Sequence, residues 1–477
     1  TTEIYTLSLH DALPIYYDAI LRAAPQAGVA RLRVTRPREI GLLYDAMFSE
    51  RFCRALLAAV PMQGPASGVA GDLTGLRSTL FRTRLQAAGS GVLSPSAASD
   101  QSNSVVAFGD AVVLKFFRRL EPETNPELEL GRHLAGRADQ GPDLTPRLLG
   151  AIEYRRGRST PMTLAVLQER IRHHGSAWEL ALDSMSALGE EAMARRTPPP
   201  LLAARLLEPA GEEAPPPALA KCAGGFLAAM SRLGGRLAEL HTALADSEDP
   251  AFAPEPFSRL YRRSMVQAFR SSAGLALRQL AARLSGLDPA LRGPARYALD
   301  HAEAIKDFSR PLVDRELAGR RIRSHGQLHL GHALLLPDQE FAFIDFEGDP
   351  ARPLAERRIK RSPLRDAASL IRSLHHAAQA ALDKLTERGV CRPEDLGLAR
   401  LWARTWRVHA ARAFLAGHLG GLPPGLLPGN PVDMRLLLAA FLLDRTLAEL
   451  TQVLARSPDS LLVPLSGIRE IIGGEDD

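Results

Sequence analysis

Residues 324–350 read SHGQLHLGHALLLPDQEFAFIDFEGDP. ALLL and FAFI are apolar runs of strand length, and the Pro337-Asp338-Gln339-Glu340 tetrapeptide between them is made of turn-forming residues. Folding the runs symmetrically about that turn predicts a hairpin with His332 directly opposite Asp345. A polar residue and a carboxylate then meet at its open end. In phosphoryl transfer such a pair holds the Mg²⁺ that bridges the nucleotide phosphates, and a residue five positions before the first ligand faces the acceptor hydroxyl. Gln327 stands at that count. Taken alone, the same segment also reads as a plain hairpin with a solvent-exposed end.

Upstream, SVVAFGDAVVLKFF (104–117) reads as two strands joined at Gly109-Asp110, a hairpin turn signal. Lys115 closes the second strand and is the only lysine in the first 220 residues. Its ammonium suits nucleotide phosphates, and a solvated edge-strand lysine is the other reading. Asn125-Pro126 reads as an N-cap with proline at the first helical position, opening ELELGRHLAG. Glu129 on that helix is the expected ion-pair partner of Lys115. SDQSNSV (99–105) stands where a phosphate-cradling loop is needed, and no GxxxxGK[ST] occurs, which disfavours a P-loop enzyme. TPRLLGAIEYRR and MTLAVLQERI read as two further strands, completing a small antiparallel sheet with one helix.

The rest of the chain fills in around these segments. Residues 1–15, TTEIYTLSLHDALPI, read as a frame of a sequencing-library adapter, so the natural N-terminus is expected upstream. RLRVT (31–35) reads as a strand and 42–60 as helical, both within an N-terminal cap over 16–90. Residues 91–175 form the β-rich lobe, and 176–477 a helical lobe interrupted by a proline-rich insertion at 197–217. At 477 residues, 45% hydrophobic and 24% charged, the chain is an ordinary globular one of several folding units. A net charge of +5 without an aromatic-laced basic stripe excludes a nucleic-acid binder, and no apolar run is long enough to span a bilayer. Three scattered cysteines, Cys53, Cys222 and Cys391, form no CxxC pattern and point to a cytoplasmic protein. A sheet-rich lobe followed by a helical lobe with an embedded hairpin predicts an α+β, bilobal, protein-kinase-like fold. An ammonium from one lobe and a cation held by the other are expected to grip one triphosphate.

Segments spread over roughly 41–473 resemble the maltokinase family, which has an aminoglycoside-phosphotransferase-like fold. They include LLYDAMFSERFCRALL, DQSNSVVAFGDAVVLKFFRRLEPETNPELELGRHL, LAVLQERIRHHGSAWELALD, DPAFAPEPFSRLYRRS, HGQLHLGH, IDFEGDPARPLAERRIKRSPLRDAASLIRS and FLLDRTLAEL with PLSGI. The resemblance implies ATP- and Mg²⁺-dependent phosphorylation of maltose to maltose 1-phosphate, feeding glycogen and other α-glucan synthesis. Trehalose synthase is implied as a fused or associated partner. The same resemblance makes Asn103 and Ser104 part of the phosphate loop, Lys115 the phosphate-binding lysine and Glu129 its partner. Gln168 then leads into the adenine hinge, His332 and Asp345 take the metal positions, and Asp366 braces the catalytic loop.

Two residues depart from the family's usual HGD-x-HLGQ loop. Gln327 replaces the aspartate that acts as base, and His332 replaces the glutamine that ligates metal. A carboxamide orients a hydroxyl but cannot take its proton, a loss worth about 10²–10⁴-fold in rate. His329 is the nearest candidate replacement base, which would make turnover fall below about pH 6. An imidazole is also a poorer magnesium ligand than an oxygen donor. A degenerate kinase domain, acting as a binding or regulatory module of a trehalose synthase, is the alternative reading. Trp402 and Trp406, at i and i+4, read first as helix-core residues and second as a sugar-stacking face.

Overall fold

A computed structural model describes residues 28–34, 39–87, 95–99, 103–135, 144–200, 214–456 and 460–473. Residues 1–15 and most of the proline-rich insertion lie outside these. The chain divides into two compact units, Thr1–Arg172 with Pro350–Glu356, and His173–Asp349 with Arg357–Asp477.

In the first unit, β1 (Gly28–Val34) and β2 (Glu39–Tyr44) form an antiparallel pair. The expected helix over 42–60 starts later than its apolar spacing suggests. Asp45 accepts from Met47 N and turns the chain into a single 3₁₀ turn, and Ser49 then caps α1 (Glu50–Ala59) through Phe52 N. Polar caps override apolar period at such a boundary because they satisfy otherwise orphaned N–H groups.

The main sheet has seven antiparallel strands in the order β3-β4-β8-β9-β7-β6-β5. These are β3 (Ala66–Ser67), β4 (Asp72–Arg77), β5 (Pro95–Ser99), β6 (Asn103–Phe108), β7 (Val112–Phe117), β8 (Leu148–Arg155) and β9 (Met162–Glu169). β3 and β4 come from before residue 90, so the boundary expected there falls inside one hydrogen-bonded sheet. Their short, polar sequences, AS and DLTGLR, hide them from a search for apolar alternation. Val106, Phe108, Val112, Leu114, Leu149 and Leu167 pack with Leu56 and Val60 of the α1 region into the unit's largest core. Two further helices belong here, α2 (Phe81–Ala87) and α3 (Pro126–Ala135).

The second unit is mostly helical: α4 (Ala177–Arg195), α5 (Pro217–Ala245), α6 (Arg259–Arg283), α7 (Pro289–Asp300) and α8 (Ala302–Asp307). Two short strands, β10 (Glu255–Pro256) and β11 (Arg320–Arg321), pair with each other. The predicted hairpin follows as β12 (Ala333–Leu335) and β13 (Phe341–Phe343). α9 (Leu354–Arg357) lies almost wholly in the Pro350–Glu356 stretch of the first unit, and the second unit resumes with α10 (Leu364–Glu387), α11 (Leu396–Gly421), α12 (Pro431–Arg456) and α13 (Leu462–Ile472). α5 packs along α11 with the backbones nearly touching; a Cβ on Gly234 would sit 2.0 Å from Phe414 O, so no larger residue fits. Leu277 and Leu280 of α6, Leu443, Leu447 and Leu450 of α12, and Leu465 and Ile468 of α13 form a second core.

The hairpin's register corrects the symmetric fold expected from sequence. Ala333 faces Phe343 and Leu335 faces Phe341, and Leu336 N donates to Glu340 O, so the loop is the three residues Pro337-Asp338-Gln339. Gln339 sits in the left-handed region at φ 68°, as a three-residue hairpin loop requires. Glu340 therefore belongs to the strand, and the residue opposite His332 is Ile344, whose N–H donates to His332 O.

Candidate active site

Within the first unit, Lys115 lies on β7 between Val105 of β6 and Val166 of β9. Its Nζ is 2.8 Å from Oε2 of Glu127, and the two side chains are only 9% and 2% exposed. Glu127, two residues before the expected Glu129, is thus a carboxylate held against this lysine. The helix start explains it. Asn125 Oδ1 accepts from Glu127 N, Thr163 Oγ1 accepts from Asn125 N, and Pro126 opens the helix, which fixes the phase of α3. At about 100° per residue, Glu129 is turned some 200° away from Glu127. The buried Leu130 at i+3 from Glu127 marks the inward face and was the available signal.

Asn103 and Ser104 open β6 and are 3% and 1% exposed. Ser104 Oγ accepts from Arg118 Nε at 2.8 Å, and Arg118 also pairs with Asp45. Sequence reading overlooked this arginine, because a chain so rich in arginine gives no single one prominence. Residues 100–102 of the expected phosphate loop lie outside the described residues. Gln168, half-buried on β9, faces Val113.

Within the second unit, the loop after β11 is fastened to the first turns of α10. Asp366 Oδ2 accepts from His325 N at 2.8 Å and Oδ1 from Gly326 N at 3.0 Å. Leu330 N donates to Ser373 Oγ. Gly326 sits at φ 86°, a conformation glycine adopts without strain. Asp366 is also 3.1 Å from His241 Nε2, and His241 Nδ1 is 3.0 Å from His418 Nε2. Burial pushes the Asp366 carboxyl up, but the His241 bond, neighbouring imidazoles and loop N–H groups outweigh it and hold the carboxyl below its usual value. Its negative charge is what grips two backbone N–H groups at once.

Three imidazoles stack beside Gln327. His329 and His332 have ring centroids 3.6 Å apart, and His325 lies 5.4 Å from His332. Burial and the neighbouring rings push His325 down to about 4 and His329 to about 3, so both are neutral near pH 7. His329 nevertheless makes a poor replacement for the missing base. Its Nδ1 accepts from Gly331 N at 3.1 Å, which places the ring proton on Nε2 and leaves that nitrogen a donor. The expected fall in turnover below pH 6 loses its physical basis, because a group already neutral at pH 4 does not titrate there.

His332 and Asp345 meet despite the shifted register, with Nε2 3.3 Å from Oδ2. Asp345 reaches the imidazole because its backbone turns into the left-handed region at φ 69°. His332 Nδ1 donates to Gln327 O at 3.1 Å, which turns Nε2 toward the carboxylate. The Asp345 carboxylate suits magnesium, whereas the imidazole nitrogen does not, since magnesium takes oxygen donors.

The tryptophans resolve to their core reading. Trp406 is fully buried, stacks on Phe226 at 4.9 Å and donates to Ser184 Oγ, while Trp402 is 4% exposed and donates to Thr197 O. His375 is wrapped by Arg407 and Glu470, and His376 pairs with Glu449, so these two are held within ion-pair clusters. Lys360, in the basic run after the hairpin, is spent on Pro250 O, Ala253 O and Glu255.

No protein-family model matches the chain. Curated relatives called glucosamine kinase do. That of Streptacidiphilus jiangxiensis is 25% identical over 319 residues, 66% of this chain and 59% of the relative. That of Mycolicibacterium smegmatis is 27% identical over 290 residues, 60% of each. The chain thus spans about 60% of the length of the relatives it matches. A solved glucosamine kinase in complex with glucosamine, ADP and inorganic phosphate superposes with a TM-score of 0.60 at 19% identity, covering 94% of this chain and 88% of that one. A second glucosamine kinase crystal form gives 0.58 at 18%, covering 97% and 99%. The chain has this α+β, kinase-like fold.

Proposed function

We propose that the protein is an ATP-dependent phosphotransferase acting on a sugar hydroxyl. The observation that carries this reading is the buried Lys115–Glu127 pair. A lysine on a central strand, fixed by a helix carboxylate, is the arrangement a kinase uses to hold nucleotide phosphates. Lys115 would then contact the phosphates with Ser104 and Asn103 nearby, Gln168 would lead toward the base, and Asp345 would anchor a divalent cation. The loop held by Asp366 would present Gln327 to the acceptor hydroxyl. Gln327 orients that hydroxyl without deprotonating it, and because the phosphoryl-transfer transition state is loose, positioning and charge supply much of the rate.

Glucosamine is the acceptor favoured by the relatives' names, and maltose the one favoured by the segment resemblance, with maltose 1-phosphate as product. Purified protein with ATP, a divalent cation and each sugar in turn separates them by sugar-dependent ADP release. A glucosamine-dependent rate above that with maltose supports the first, and the reverse order the second. Lys115→Met should abolish either rate. The second reading, a non-catalytic binding or regulatory module associated with a trehalose synthase, is favoured by Gln327 and by the occupied Nδ1 of His329. It predicts no turnover in the wild type, with activity appearing in Gln327→Asp. If wild type and Gln327→Asp are both inactive on every sugar while nucleotide still binds, the phosphotransferase reading fails.

A further inference from the structure

His332 Nε2 and Asp345 Oδ2 set a nitrogen and an oxygen side by side at the end of the hairpin. The Nδ1–H of His332 bonds to Gln327 O, which aims Nε2 at the carboxylate 3.3 Å away. The pair's spacing suits one metal ion. Two donors about 2.1 Å from one ion stand about 3.0 Å apart at a right angle and about 3.4 Å apart at a tetrahedral angle. The observed 3.3 Å lies inside that window. A metal-binding imidazole almost always donates its other N–H to a carbonyl or carboxylate, and Gln327 O supplies that second partner here. Neither donor is deeply buried, their side chains being 15% and 23% exposed, so nucleotide oxygens and water have room to complete the shell.

We propose that this site selects a transition-series divalent ion such as Mn²⁺ over Mg²⁺, with His332 as a direct nitrogen ligand. This rests on the reading that Asp345 anchors the nucleotide's cation. The chemistry is donor softness. Mixed imidazole, carboxylate and phosphate sites gain affinity along the first transition row, whereas Mg²⁺ gains nothing from nitrogen. Gln327 then has a positioning role beyond its side chain, because its backbone carbonyl aims the Nε2 that makes His332 a ligand.

The test uses the full chain with a non-hydrolysable ATP analogue and Mn²⁺ as probe. Mn²⁺ binding is read by loss of the free-ion EPR signal, and nitrogen ligation by ¹⁴N modulation of the bound ion's spin echo. Wild type should show ¹⁴N coupling and hold Mn²⁺ against a hundredfold excess of Mg²⁺. His332→Gln, which restores an oxygen donor, should lose the coupling and at least tenfold of the preference while still binding the analogue. Asp345→Asn should weaken both ions. Bound Mn²⁺ without ¹⁴N coupling, equal displacement by Mg²⁺ in wild type and His332→Gln, or no metal binding at all would overturn the proposal, the last leaving an imidazolium–carboxylate pair. Sugar-dependent turnover with Mg²⁺ as good as with Mn²⁺ would overturn it while leaving the phosphotransferase reading intact.

Discussion

Replacing Glu127 by Gln removes the countercharge from an ammonium whose side chain is 9% exposed. Breaking a buried ion pair by losing one partner costs about 3–5 kcal/mol, and the glutamine oxygen, still able to accept one hydrogen bond, returns about 1 kcal/mol. The expected destabilisation is therefore about 2–4 kcal/mol. Lys115→Met takes the ammonium away from the buried Glu127 carboxylate and should cost a similar amount. The double variant Lys115→Met, Glu127→Leu removes both charges together and should cost less than the sum of the singles, because neither charge of the pair remains without the other. Chemical denaturation followed by tryptophan fluorescence is a weak probe here, since Trp178, Trp402 and Trp406 all lie in the second unit. Hydrogen exchange of β7 and α3 amides, read by mass spectrometry, reports on the right unit. Glu129→Gln serves as the internal control and should change that exchange by less than about 1 kcal/mol. The reasoning fails if Glu129→Gln loosens β7 as much as Glu127→Gln does, or if the singles and the double are additive.

Two further outcomes follow from the second unit. His325 and His329 have folded pKa values near 4 and 3 against an ordinary 6.5, so the unfolded chain binds more protons between those limits. Stability should then be full above about pH 6.5 and fall as pH drops toward 4, by about 3 kcal/mol for His325 alone; denaturant midpoints that stay flat from pH 7 to 4.5 would contradict it. Asp366→Asn offers one oxygen acceptor and a donor where the carboxylate took two backbone N–H groups and faced His241, a cost of about 2–4 kcal/mol. Amides of 325–326 should lose exchange protection in that variant, and retained protection would show that the loop holds itself.

What could be read from sequence was whatever a local signal carries. The hairpin at 333–343, the strand holding Lys115 and the Asn125-Pro126 helix start each rest on a few neighbouring residues whose chemistry admits one backbone shape. The kinase-like fold followed from their order. The misplaced features depend on phase. Glu127 as a partner of Lys115 is hard to read from sequence, because two carboxylates two residues apart look alike until the cap sets the helix's rotation. His332 was set opposite Asp345 because Pro337 to Glu340 reads as a turn of four, whereas Gln339 in a left-handed conformation closes the loop in three. β3 and β4 stayed hidden because β4 takes its place in the sheet by pairing with β8, a partner some 75 residues away, and β3 joins only through β4. The His241–His418 support behind Asp366 joins three helices, and no spacing in the sequence announces it.

The three-residue tip at Pro337–Gln339 ties mutational tolerance to chemistry at the far end of the hairpin. Surface loops ordinarily absorb an inserted residue at little cost, yet here one added residue would slide β13 along β12 and swap which faces its side chains occupy. Asp345 would then leave His332, although the insertion sits where nothing reacts. Length at this tip therefore governs the donor contact as directly as the identity of the donors does.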